Sequence, residues 1–306
     1  MPWWTGWRSK SFEQHAVEVR AIAESIRSRH DAEGGGEKDG TVALAAGPSN
    51  TMRSGRYKTS ASVDISSLDA LLEVNIQVSS DAMEWTVTVE PKMSMEALFA
   101  ACRSHHCMPQ VVTEFRSISV GGAIAGAALE SSSCKYGQFS EQVTALEVIL
   151  ADGTILNCSP SQDADCFYGM MGAYGSLGII TACTLRVMPY RPYVRLCYRT
   201  FNQEDDFVSA LAKGAKDGEL VDALILEQPS SVTSSHATDD IPGNDNDNVK
   251  DNGKNLGYVL MEGQWLTAEE VDAQENNGVT LSLQHWWSPW FFVHVDQKVW
   301  SCKGLV

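Results

Sequence analysis

The chain of 306 residues has no run of roughly 18 apolar residues, so no segment reads as a helix that crosses a bilayer. Its start lacks the pattern of a secretory leader. The fingerprint Gly-x-Gly-x-x-Gly is missing, which argues against a Rossmann dinucleotide domain. Basic residues are scarce: 23 Lys and Arg stand against 39 Asp and Glu, a net charge of −16. That balance argues against a general affinity for nucleic acid or anionic headgroups. None of the eight cysteines forms a Cys-x-x-Cys pair, and a chain this long does not need disulfides, so reduced thiols are expected. Cys102, His105, His106 and Cys107 sit close together, but no second ligand pair lies at zinc spacing, and no metal site is expected. The Asp-rich stretch 236–255 lacks the order of ligands that a calcium loop needs, and it reads as a disordered acidic insertion.

Apolar content of 43% and charged content of 20% are ordinary for a globular protein with one large core or two modest ones. The informative stretch runs from Ser119 to Gly137. It reads as the end of a strand, a Gly121-Gly122 turn, a small-residue helix and a hydroxyl-rich loop. Glycines without Cβ atoms leave their amides open, and the helix start adds oriented N–H groups. Such a turn suits a pyrophosphate. Next come two strands around an Asp152-Gly153 hairpin turn, then Asp165–Tyr168, then Gly172-Ala-Tyr-Gly-Ser-Leu-Gly-Ile-Ile-Thr181 leading into a strand through Val187.

This order of motifs resembles the FAD-binding domain of the vanillyl-alcohol-oxidase (PCMH-type) flavoprotein superfamily, over roughly residues 40–200. Within it, Glu130-Ser-Ser-Ser-Cys-Lys-Tyr-Gly-Gln-Phe139 is similar to the Glu-Ser-Ser-Ser-x-Lys-Tyr-Gly-x-Phe signature of the delta(24)-sterol reductase (Diminuto/Dwarf) family. Arg53-Ser-Gly-Arg-Tyr-Lys58 and Pro289-Trp-Phe-Phe-Val-His-Val295 are similar to two further segments of that family.

The resemblance implies an α+β fold: a PCMH-type FAD-binding domain of two α/β subdomains, then a partial cap for substrate. Expected bounds are 1–40 for an N-terminal helix and linker, 41–192 for the FAD domain and 193–306 for the cap. The cofactor residues it implies are Ser119, Val120, Gly121, Gly122 and Gly126 on the pyrophosphate side. Glu130, Ser131, Ser132, Ser133, Tyr136 and Gly137 form the loop, and Gly178, Ile179 and Ile180 meet the adenosine end. FAD is expected to bind noncovalently, although Cys134 stands where the family has His. NADPH is the expected electron donor, and the expected substrate is a C=C bond in the side chain of a sterol. Protonating that bond needs an acid; Glu130, Lys135 and Tyr136 lie nearby, and none is singled out. Family resemblance places the protein at the cytosolic face of the endoplasmic reticulum. Without a membrane span in the sequence, contact is expected to be peripheral or the protein cytoplasmic. The aromatic segment at 1–7 either touches a bilayer or packs against the fold, and that at 285–292 is half of a hydrophobic substrate entrance, a membrane-facing ridge or a segment that packs beneath a missing domain. The family continues well past residue 306, so the chain reads as truncated. Two other readings stay open: an FAD-dependent oxidase or dehydrogenase of a sugar lactone or alditol, and a flavin-binding fragment without turnover.

Periodicity gives the remaining elements. Phe12, Val19, Ile22 and Ile26 form an apolar stripe on a helix over 11–30. Short strands are expected at 41–45 (buried), 63–65, 72–78 and 85–89 in a parallel-to-mixed sheet. Ser94 caps a helix ending near His105. A strand at 193–201, a helix at 204–214 and a strand at 222–227 follow, and 256–262 pairs with 222–227.

Overall fold

Ser11 and Gln14 open the first helix by satisfying each other's spare backbone donors. In the computed structural model, the Gln14 N–H donates to Ser11 Oγ at 3.2 Å and the Ser11 N–H to Gln14 Oε1 at 3.1 Å. The structure describes residues 6–32, 43–44, 62–78, 83–113, 115–228, 250–251, 254–276 and 283–285. Expectations for the segments 1–5, 47–58, Asp81 and 286–306, and for most of 236–255, lie outside the described residues. Two units emerge: residues 1–130 with 136–190, and residues 131–135 with 191–306.

In the first unit, helix α1 spans Phe12–Ala32. Val19, Ile22 and Ile26 are buried against Val63, Ile65, Leu68, Ile149 and Ile179. Phe12, by contrast, is 51% exposed, because the buried stripe begins one turn later, at His15. The short strands are β1 (Arg8–Ser9), β2 (Ala43–Leu44) and β3 (Ser62–Val63). Leu44 is exposed, so the expected burial of that strand does not hold. The longer strands are β4 (Ala70–Val78) and β5 (Met83–Val89), followed by helix α2 (Met95–Ser104) and strand β6 (Cys107–Pro109). Further on are β7 (Val143–Leu150), β8 (Ile155–Cys158) and β9 (Gly178–Pro189).

The main sheet has the order β1-β4-β5-β9-β7-β8, with β6 also on β9. Among the described residues only β1–β4 is parallel in it, besides the separate β2–β3 pair. The sheet is therefore mixed, at the antiparallel end of the parallel-to-mixed expectation. Neighbours such as β4–β5 and β7–β8 are joined by short connections, and those permit only antiparallel pairing. The Asp152-Gly153 turn is one of them: Thr154 N–H bonds Asp152 Oδ1 at 2.8 Å, and Gly153 has φ +79°.

Ser94 caps α2 as expected, accepting from the Ala97 N–H at 3.2 Å. Ser94→Ala should lower stability by about 1 kcal/mol, readable in a urea melt.

His15 is the first buried residue of α1 and lies between two carboxylates. Its Nδ1 is 2.8 Å from Glu90 Oε1 and its Nε2 3.0 Å from Glu147 Oε1. Glu90, fully buried, also accepts from the Ala70 N–H at 2.8 Å and from Lys10 Nζ at 3.0 Å. Thr181 Oγ1 donates to Glu147 at 2.6 Å, and Lys10 pairs with Glu18 at 2.8 Å. Burial alone would lower the imidazole pKa, but the bonds to Glu147 and Glu90 raise it to about 9. His15 is therefore an imidazolium that fastens α1 to β5 and β7.

The second unit holds β10 (Tyr193–Phe201), helix α6 (Glu204–Asp217), β11 (Leu220–Gln228), β12 (Lys250–Asp251), β13 (Lys254–Leu266), helix α7 (Ala268–Asn276) and β14 (Leu283–His285). Its sheet runs β11-β13-β10-β14, with β12 on β13, and is antiparallel throughout. The expected pairing of 222–227 with 256–262 is present, with Asp222 opposite Met261 and Glu227 opposite Leu256. Phe207 of α6 stacks on Tyr258 and builds a small core with Leu260.

Candidate functional site

Helix α3 spans Val120–Ala125, so Gly121 and Gly122 lie inside its first turn. Among the described residues no strand runs directly into them; Ser119 caps the helix and forms an isolated bridge with Ser94. The amides expected to be open have partners within the unit. Val120 N–H donates to Met93 O at 2.9 Å, Gly121 N–H to Pro91 O at 2.9 Å and Gly122 N–H to Ser119 Oγ at 3.3 Å. Gly121 is glycine because of packing: an added Cβ would lie 2.7 Å from Pro91 Cβ. Gly126 ends α3, its N–H bonded to Gly122 O at 2.9 Å. Gly122 is exposed, so α3 presents bare backbone there.

A second loop joins this helix end. Gly172 N–H bonds Ile124 O at 3.2 Å and Tyr174 N–H bonds Ala125 O at 3.0 Å. Ala127 (φ +52°) and Tyr174 (φ +53°) are left-handed without being glycine, a strain that folds keep mostly at working sites. Leu129, Tyr174 and Leu177 are all more than half exposed, and an added Cβ at Gly175 would meet nothing within 4 Å. The loop feeds β9. Gly178, Ile179 and Ile180 pair with Leu150, Ile149 and Val148 of β7 on one side. On the other side β5 reaches only Cys183–Arg186. Among the described residues, the outer edge of β9 over 178–182 has no strand partner.

The segment 131–135 is part of the second unit. Ser131 Oγ donates to Asp222 Oδ2 at 2.5 Å and its carbonyl accepts from the Val221 N–H at 2.9 Å. Lys135 Nζ pairs with Glu219 at 2.6 Å, and Glu219 also accepts from the Trp265 N–H at 3.0 Å. Helix α4 (Ser133–Tyr136) includes Cys134, whose thiol lies 3.4 Å from Ser131 O. Ser132 is buried, and its carbonyl accepts from the Lys135 N–H at 3.0 Å. In the first unit, the Tyr136 hydroxyl faces Met188 Sδ at 3.5 Å. Gly137 (φ +75°) lies against the Glu141 carboxylate, which accepts from the Gln138 N–H at 2.6 Å. The structure thus brings the α3 residues and the 172–180 loop together, and it ties Ser131 and Lys135 to β11 and the turn before it.

Residues 36–159 match the FAD binding domain family. The mouse delta(24)-sterol reductase is 30% identical over 247 residues, 80% of this chain and 40% of that protein. The pea delta(24)-sterol reductase is 26% identical over 312 residues, 99% of this chain and 49% of that protein. The chain is thus similar to the delta(24)-sterol reductases over most of its length, and over residues 36–159 to an FAD binding domain. It spans less than half the length of these relatives. A rice protein, cytokinin dehydrogenase 9, is 22% identical over 193 residues, 61% of this chain and 37% of its own length. The α+β architecture agrees with such a domain.

The residues of the FAD binding domain fit the cofactor. An unpaired strand edge, exposed glycine backbone and exposed apolar side chains meet at the joined loops. Thr113, upstream of α3, buries its hydroxyl without a hydrogen-bond partner among the described residues. Sequence reasoning missed Thr113, Leu129 and Tyr174, since burial and backbone angle, not residue type, mark them. No helix among the described residues is long and apolar enough to cross a membrane.

Proposed function

We propose that the chain binds FAD noncovalently and serves an NADPH-dependent reduction of a C=C bond in the side chain of a sterol. One observation carries this reading: the signature Glu130–Phe139 follows α3 inside the segment that matches the FAD binding domain. Bound FAD supplies the hydride chemistry.

The chain's own residues bind and orient. Ser119 and Val120 set the start of α3, Gly121 and Gly126 let the helix pack closely on its neighbours, and the exposed backbone at Gly122 faces the pyrophosphate. Gly178, Ile179 and Ile180 offer groups from the outer edge of β9. Ser132 and Ser133 offer hydroxyls, and Glu130, Tyr136 and Gly137 close the loop. Ser131 already spends its proton on Asp222, so it acts through position more than donation. Burial holds the Cys134 thiol above its ordinary pKa, which disfavours the thiolate a covalent flavin link would need. Of the three candidate proton donors, Lys135 is ion-paired with Glu219 and Tyr136 points at Met188. Leu129, Tyr174 and Leu177 supply apolar cover that excludes water. On the same reading the protein works by peripheral contact at the cytosolic face of the endoplasmic reticulum.

The test is the visible spectrum of the purified chain, before and after acid precipitation. Flavin absorbance that moves to the supernatant is expected. Flavin kept in the pellet would show a covalent link, and a protein that stays colourless with added FAD would refute the cofactor. NADPH should then bleach the flavin anaerobically, and a sterol with a double bond in its side chain should restore it. Recolouring by a sugar lactone and not by the sterol would overturn the substrate class.

A further inference from the structure

Strand β11, Leu220–Gln228, lies at the outside of the second unit's sheet, with β13 on one side only. Its Val221 N–H points away from β13, because it donates to Ser131 O at 2.9 Å. Backbone groups alternate along an antiparallel strand, so those of Ala223, Ile225 and Glu227 point the same way as Val221. Among the described residues no strand meets them. The register with β13 is unbroken, so no bulge twists this edge away. Its sequence, Leu-Val-Asp-Ala-Leu-Ile-Leu-Glu-Gln, holds no proline and no lysine, the residues that commonly block a free edge. The other side of the sheet differs: β14 covers Tyr193–Arg195 of β10, and Arg199 stands on the rest. Ile225 is 63% exposed. Exposed apolar side chains such as Tyr168 on helix α5 (Ala164–Met170) and Val208 on α6 sit on helices, whose backbone is bonded internally. On β11, by contrast, exposed apolar surface and spare backbone groups coincide.

We propose that β11 pairs with β11 of a second copy of this chain, making a two-fold dimer through the second unit. Ser131 occupies the edge at Val221, which leaves 222–228 free, and Ile225 is the centre of that stretch. Antiparallel pairing about Ile225 is closed by a two-fold axis, so it stops at two copies and builds no filament. This register sets Ile225 opposite the second copy's Ile225, Leu224 opposite Leu226, Ala223 opposite Glu227 and Asp222 opposite Gln228. No two carboxylates then stand opposite each other. A register centred on Ala223 would need the Val221 amide that Ser131 already holds, and it would set Glu219 opposite Glu227. The free stretch is thus its own complement, and that selects a second copy over an unrelated strand. Pairing gives the backbone groups of Ala223, Ile225 and Glu227 their partners and covers both isoleucines. The two sheets become one, continuous across the axis.

Sedimentation equilibrium of the full chain should show a concentration-dependent dimer. Ile225→Lys sets two ammonium groups opposite each other at the axis and should raise the dimer dissociation constant at least about tenfold. The position is exposed, so this variant should keep the parent's circular dichroism spectrum. Ile225→Cys tests the register directly. Residues opposite each other in a hydrogen-bonded pair have Cα atoms about 5.5 Å apart, within reach of a disulfide. Mild oxidation with diamide should therefore link two copies of that variant through position 225. The link is read as a dimer that dithiothreitol reopens and as a peptide, mapped by mass spectrometry, that joins 225 to 225. A chain that stays monomeric up to about 100 μM would overturn the proposal. So would a dimer that Ile225→Lys leaves unchanged, or one that diamide links through the exposed Cys134 or Cys197 and not through 225.

Discussion

His15→Ala should destabilise the first unit by about 3–5 kcal/mol, the cost of removing one partner from a buried charge cluster. The variant leaves Glu147 without its cation and Glu90 with Lys10 alone among charged partners. It also frees α1 from β5 and β7. A urea melt followed by circular dichroism measures the loss; a change under about 1 kcal/mol would show that the cluster is not formed. The pH dependence carries a sign of its own. In an unfolded chain His15 titrates near 6.5, and in the fold at about 9. The stability it contributes is whole below the unfolded value and is lost as pH rises through 9, a total of about 3 kcal/mol. Glu147 and Glu18 work in the opposite direction. Their pKa values are lowered against a burial cost, by His15 and Thr181 for the first and by Lys10 and Ser67 for the second. What they contribute is present above the ordinary carboxylate range and lost on acidification. Melting temperatures should therefore fall between neutral and pH 9 in the native protein, and His15→Leu should flatten that slope.

Gly121→Val should weaken FAD binding by at least about tenfold, or about 1.4 kcal/mol. The new Cβ would sit 2.7 Å from Pro91 Cβ and 3.3 Å from Pro91 O. A proline ring cannot swing away as a flexible side chain would. Helix α3 must then leave its seat and break the bonds from Val120 to Met93 and from Gly121 to Pro91. Overpacking of this kind also costs about 1–3 kcal/mol in the fold. Fluorescence titration with FAD, beside a thermal melt, separates the two effects. Gly6→Ala is the control, because its Cβ would meet nothing within 4 Å. Full FAD affinity in Gly121→Val would place the cofactor away from α3.

The sequence made some features legible because they are local. The β7–β8 hairpin follows from Asp152-Gly153, where a turn with positive φ selects its residue type. The β11–β13 pairing was readable because two apolar runs flank one polar insertion. The Ser94 cap needs only its own helix. What stayed hidden depends on partners far along the sequence. Gly121 reads as a turn glycine, yet it is a helix glycine pressed on Pro91. Ser131 reads as a cofactor residue and Lys135 as a candidate proton donor, and their partners Asp222 and Glu219 lie 91 and 84 positions away. His15 is unremarkable in sequence because Glu90 and Glu147 lie 75 and 132 positions away. Strands β1 and β6 are too short for any period to show.

The discontinuity of the second unit has a consequence for synthesis. Ser131–Lys135 belongs with β11, but it leaves the ribosome roughly 85 residues before Leu220 does. At about 5–20 residues per second, those five residues wait roughly 4–17 seconds for their partners. During that interval the Lys135 ammonium and the Ser131 hydroxyl meet only solvent, the glycine helix upstream and whatever chaperone attends the nascent polypeptide. A ribosomal pause within 136–219 would lengthen that exposure, while a faster codon run there would shorten it.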